Sequence, residues 1–131
     1  MRITDLETNY NATTELEKEV INIIIEEASD YESLERYLND LLTYGCVSGI
    51  VSALTWYNQT LDFAKRHANE INEMLSTHLT MLGFCNPKEL FGDKWDCEDS
   101  LALSTNNQNL LAWFAFEETA REIGISFDLV A

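Results

Sequence analysis

A chain of 131 residues, 46% of them hydrophobic, has the size of one domain and enough apolar side chains to bury a core, which argues against intrinsic disorder. Its 23 acidic residues against eight Lys and Arg give a formal charge of -15, which sets nucleic acid and anionic membranes aside as direct ligands and makes a basic protein the natural complement. No run of 18 apolar residues occurs, and Met1-Arg2-Ile3-Thr4 leads into no apolar stretch, so a soluble, cytoplasmic protein is expected.

The reading is all-α: a single helical domain over 1–131, with 1–13 as a loosely held arm lacking helical periodicity. Thr14 opens a first helix, because Thr14 to Glu17 has the spacing in which each side chain caps the other's backbone N–H. Leu16, Val20, Ile23 and Ile24 form its inward stripe, widened by Ile21 and Ile25. Ser29 and Glu32 repeat the capping spacing, so a second helix is expected from there to Tyr44, burying Tyr31, Leu34, Leu38, Leu41 and Leu42 and closed by Gly45.

A long central helix follows over about residues 47–82. Its apolar or near-apolar positions, Ile50, Leu54, Tyr57, Leu61, Ala64, Ala68, Ile71, Leu75, Leu79 and Leu82, step mostly by four and three, the period of helical bundles. Asn58, Gln59 and Thr60 are its weak point, where one helix could become two nearly collinear ones. Gly83 ends it, and Asn86 caps a turn or two from Pro87 to Phe91 that Gly92 closes.

Asp93 to Ser104 reads as an acidic loop around Trp95, whose indole should pack on the central or final helix and so fix the loop. The last helix, about Thr105 to Ile123, is capped by Ser104 or Thr105 and ended by Gly124; Leu110, Leu111, Trp113, Phe114 and Phe116 make it too apolar for a surface helix. Residues 125–131 form a tail in which Ile125, Phe127 and Leu129 alternate as in an extended segment.

The chemistry-bearing residue types form no recognisable active site. Cys46, Cys85 and Cys97 are an odd number without a CxxC pair, so reduced, buried thiols are expected rather than disulfides. His67 and His78 stand eleven residues apart, about 16 Å along a helix, too far to share a metal, and read as partly exposed surface residues. Asp93, Asp96, Glu98 and Asp99 offer oxygen ligands but lack the order of a calcium loop. With no GxSxG, P-loop, dinucleotide fingerprint or HExxH, the expectation is no enzyme, no metal and no cofactor. The remaining enzymatic reading would place a divalent metal at the acidic loop.

Charge is concentrated at the two ends. Residues 1–44 carry eleven acids against three bases, residues 45–83 three against two, and residues 84–131 nine against three. Glu26, Glu27, Asp30, Glu32 and Glu35 form one candidate acidic face, and Asp93, Asp96, Glu98 and Asp99 a second. Carboxylates fixed in space can occupy a channel lined with Lys and Arg for phosphates. The alternative is a structural or regulatory protein that self-associates, as in a homodimer, through the 3.5-period stripe, with acidity serving solubility alone.

Three segments, Leu41-Leu-Thr-Tyr-Gly-Cys-Val-Ser-Gly-Ile50, Glu89-Leu-Phe-Gly-Asp-Lys-Trp-Asp96 and the run from Asn109 to Arg121, resemble an uncharacterised family of small acidic proteins carried by phages and mobile elements of Gram-positive bacteria. The resemblance spans roughly residues 34–122 and brings no catalytic residues with it. It implies a setting in which small acidic proteins inhibit host nucleases, so the partner expected is a basic host protein, foremost a CRISPR effector nuclease or a restriction enzyme.

Overall fold

The computed structural model describes residues 12–29, 33–44, 57–96 and 104–126. The arm as far as residue 11, the junction 30–32, residues 45–56 at the head of the expected central helix, residues 97–103 of the expected loop and the tail 127–131 lie outside them. Cys46 and Cys97 fall in those ranges too. Among the described residues the fold is all-α, without strands: α1 Glu15–Ala28, α2 Leu34–Tyr44, α3 Tyr57–Arg66, α4 Ala68–Leu82, α5 Pro87–Phe91 and α6 Thr105–Ser126, with a 3-10 turn at Gly92–Lys94. The chain divides into two compact units, one formed by Met1–Trp56 with Phe116–Ala131 and the other by Tyr57–Ala115.

In the first unit the buried side chains follow the helical period. Leu16, Val20, Ile21, Ile24 and Ala28 are buried on α1, and Leu34, Tyr37, Leu38 and Leu41 on α2. Each large aliphatic group so placed contributes roughly 1.5–3 kcal/mol relative to an exposed position. Ile23 and Ile25 are only half-buried, since the innermost row is the unbroken four-residue series from Leu16 to Ala28. The same unit buries Phe116, Thr119, Ala120 and Ile123 from the second half of α6.

Capping decides where these helices begin. Thr14 accepts the Glu17 N–H at 3.1 Å as expected, but the Glu17 carboxylate takes the Thr13 and Thr14 hydroxyls, at 3.1 and 3.3 Å, where the spacing leads one to expect the Thr14 N–H. Ser29 behaves differently from the expectation. Its hydroxyl donates back to the Glu26 carbonyl at 2.6 Å, closing α1, while Ser33 accepts the Arg36 N–H at 3.1 Å and opens α2. Both serines have a cap-compatible neighbourhood, and the one four residues further on has the free helix start to serve.

In the second unit the central helix bends at His67, not between Asn58 and Thr60. The His67 backbone lies at φ -112 and ψ 21, yet the hydrogen-bond ladder crosses it: its N–H donates to the Phe63 carbonyl at 3.1 Å and its carbonyl accepts the Ile71 N–H at 2.9 Å. α3 and α4 are therefore two helices that His67 links, with one backbone hydrogen bond to each. Phe63, His67, Ile71 and Leu75 are buried as one row of four-residue steps, with Ala64 beside them. A row of this kind turns Ala68 and Leu79 partly outward and leaves Leu82, expected on the inward stripe, 51% exposed.

Two local rules hold closely. Gly83 adopts φ 72 and ψ 25, its N–H donates to the Thr80 carbonyl at 3.2 Å, and Phe84 N–H reaches the Leu79 carbonyl at 2.9 Å, which together end α4 in a left-handed cap. Asn86 accepts the Glu89 N–H at 3.2 Å with Pro87 in the first turn, and Glu89 returns by accepting the Cys85 N–H at 2.6 Å. Cys85 itself is exposed, contrary to the expectation of buried thiols, because it lies in the short connection between two helix ends. The final helix also outruns its expected end. It continues through Gly124 to Ser126, so Ile125 is helical and exposed, not part of an extended tail; Gly124 is buried, where the absence of a side chain suits close packing.

Gly83→Ala tests the left-handed cap in isolation, since a Cβ there would meet nothing within 4 Å and the cost is backbone strain alone. The substitution should destabilise the fold by about 1–2 kcal/mol, read as a lower urea midpoint at unchanged slope.

Candidate functional site

The acidic segment after α5 is fixed by the polar start of α6. Asn107, 1% exposed, is the centre of the arrangement. Its Oδ1 accepts the Asp96 backbone N–H at 2.8 Å, and its Nδ2 donates to the Asp96 carbonyl at 2.9 Å, so one amide takes both backbone groups of one residue. Asn106 donates to the Lys94 carbonyl at 2.7 Å and to Asn107 Oδ1 at 3.2 Å. Ser104 caps α6 by accepting the Asn107 N–H at 3.1 Å while its hydroxyl donates to the Asp96 carboxylate at 3.0 Å. Three residues thus lock Lys94 to Asp96 onto the helix.

An aromatic stack supports the same turn from another side. Trp95, half-buried, stacks on Phe91 with ring centres 5.4 Å apart and planes at 13°. Phe91 meets Phe114 of α6 edge-on at 5.9 Å, and Phe114 meets His78 of α4 edge-on at 5.0 Å. The indole's ring contact is therefore with the short helix α5, which relays it to the final helix; direct stacking on a long helix was the expectation. Asp93 sits exposed in the 3-10 turn, so the acidic stretch begins as ordered structure where a loop was expected.

Of the second candidate face, Asp93 and Asp96 come together on this pinned turn, both exposed, and Glu98 and Asp99 lie outside the described residues. Of the first, Glu26 is exposed and Glu27 half-buried in the last turn of α1, and Glu35 occupies the first turn of α2, on the other side of the same junction; Asp30 and Glu32 lie outside the described residues. Backbone hydrogen bonding at the start of α2 is the largest influence on Glu35 and holds its carboxyl below the usual carboxylate range; burial opposes this, and the Ser33 hydroxyl adds to the lowering. Glu26 and Glu27 occupy the opposite situation. No base shares their turn, and a carboxylate at a helix C-terminus faces the negative end of the dipole, a cost of typically 0.3–1 kcal/mol each.

His67 is buried, not on the surface. Its Nδ1 lies 3.5 Å from the Glu70 carboxylate, its Nε2 lies 3.5 Å from Arg66 Nη1, and its ring meets Phe63 edge-on at 4.9 Å. The carboxylate beside the imidazole comes from the first turn of α4. His78 is half-buried against Phe114. Among the described residues no group of three or more His, Cys, Asp or Glu is placed to hold a metal ion. Nor is any helix among them long and apolar enough to cross a membrane.

Asn107, Asn106 and Ser104 were missed as site residues. Their signal was local: two asparagines in the first turn of a helix, two and three positions after a serine.

The arrangement defines a small all-α protein whose acidic turn is held rigidly by an asparagine clamp. The chain belongs to the family described as Domain of unknown function (DUF7222), whose model matches residues 13–128 and so takes in α1 as well as the three resembling segments. No curated protein and no solved structure matches it.

Asn107→Ala should cost about 2–3 kcal/mol, since it strands two backbone groups of Asp96 and opens a buried site, whereas Asn106→Ala should cost under about 1 kcal/mol. Thermal unfolding of both variants checks the ranking. Because Glu35 has a depressed folded-state pKa, its contribution to stability is present above the unfolded pKa and is lost as pH falls through the folded one. The stability gap between the native protein and Glu35→Gln should therefore be full at pH 7 and close progressively below about pH 4, as measured by urea midpoints across that range.

Proposed function

We propose that this is an acidic protein of a phage or mobile element that binds and inhibits a basic, nucleic-acid-handling host protein, foremost a CRISPR effector nuclease or a restriction enzyme, by presenting carboxylates where phosphates would lie. The observation that carries the reading is the charge of -15 together with where its acids stand. Mimicry needs fixed spacing, and Asp93 and Asp96 ride on a turn tied to α6 through Asn107, Asn106 and Ser104. Glu26 and Glu27 support it from a different direction. They stand where the helix dipole disfavours them, a placement that a positive partner surface would favour.

The same conflict yields a test. Glu26→Lys, at an exposed position, should stabilise the fold by roughly 0.3–1 kcal/mol by reversing an unfavourable dipole contact, and Glu27→Lys reverses its neighbour's charge. On the proposed reading those variants, and reversal at Asp93 and Asp96, should weaken inhibition of a CRISPR effector nuclease or restriction enzyme at least about tenfold, and the native protein's competition with DNA should fall steeply as salt rises. Inhibition that survives all four reversals, in proteins as stable as the native one, would exclude mimicry.

A further inference from the structure

α4 ends on a surface unlike the rest of this chain. From Met74 to Pro87 the sequence carries no acid and no Lys or Arg, in a protein with 23 acids, and the flanking acids are Glu73 and Glu89. Within it Met81 is 77% exposed and Leu82 51%. The helix geometry explains their position: the buried row of Phe63, His67, Ile71 and Leu75 reaches Leu79 at its next step, and Met81 and Leu82 follow about 200° and 300° further round the helix. The left-handed turn at Gly83 then carries the chain away, leaving both side chains at the helix end with Thr80 exposed beside them.

We propose that this end of α4 is a self-association surface through which two copies of the chain meet at Met81 and Leu82. Most of the 3.5-period stripe is not available for that purpose, since its Ala64, Ile71 and Leu75 are buried within the protein; Leu82 is its exposed end. Charge selects the occupant. A basic partner is drawn to the acidic faces, not to a surface without acids, and an anionic membrane is repelled by the charge of -15. Two copies, each at -15, repel least where neither sets acids opposite acids, and this is such a place. The inference is independent of the inhibitor reading and concerns a different surface.

Sedimentation equilibrium of the full chain tests it. Because salt screens the repulsion between like-charged copies and leaves apolar contact intact, dimer should increase between about 0.05 M and about 0.5 M NaCl, the reverse of the trend for a charge-driven complex. Met81→Asp with Leu82→Asp should raise the dimer dissociation constant at least about tenfold at the higher salt, and far-UV circular dichroism reads whether the fold is kept, as exposed positions allow. Asn72→Asp, a charge placed at an exposed position of the same helix more than two turns from Met81, should leave association unchanged. A protein monomeric to about 0.5 mM at high salt, a dimer that salt dissolves, or one indifferent to Met81→Asp with Leu82→Asp would each overturn the proposal.

Discussion

The burial of α6 is the constraint on which the rest of the structure depends. From Asn107 to Ala120 no residue of this helix is exposed, and its buried side chains fall in both compact units: Leu111, Ala112, Phe114 and Ala115 in one, Phe116, Thr119, Ala120 and Ile123 in the other. A helix enclosed on so much of its circumference cannot use an apolar stripe and a polar stripe. Its polar residues must then find partners inside, and Asn107 does so by taking the backbone of Asp96. The clamp that orders the acidic turn is thus a consequence of how the core is built. Removing the turn would strand the asparagine, and removing the asparagine would release the turn.

Helix ends were legible because capping is a contest among neighbours. Thr14 with Glu17, Asn86 with Pro87 and Glu89, and the glycines at 83 and 92 each announce their role within four residues, and each has it. Where two neighbouring residues compete for one role, local reasoning fails. Ser29 and Ser33 both suit a helix boundary, and which closes α1 and which opens α2 depends on how far the junction extends. Gly124 shows the same limit: a glycine near a helix end suits a stop, but burial in the core carried the helix past it.

The candidate site was legible only in its charges. That Asp93 and Asp96 stand on one ordered turn follows from Asn106 and Asn107, eleven to twelve residues away from their partners, a pairing no local period encodes. His67 fails for a related reason. A histidine among alanines and acids on a helix reads as surface, and choosing between an inward row through Ala64 and Ala68 and one through Phe63 and His67 requires knowing what faces the helix. Phe63, the largest apolar side chain in α3, took the inner position and brought His67 with it, one step further along the same ridge.

Charge and stability pull against each other throughout the chain, and the places where charge prevails are informative. A net -15 repels itself in the compact state, and Glu26 and Glu27 compound this by facing a helix C-terminus with no base in the same turn. Glu35 shows that the same residue type can be placed well: in the first turn of α2 it gains backbone hydrogen bonding and its carboxyl is stabilised as the anion. A solubility requirement alone would be met by acids at helix starts, where they also stabilise, and would leave the last turn of α1 to Lys or Arg. Acids stand on both sides of one junction, favourable on one and costly on the other, so helix-end electrostatics alone does not account for where this chain puts its carboxylates.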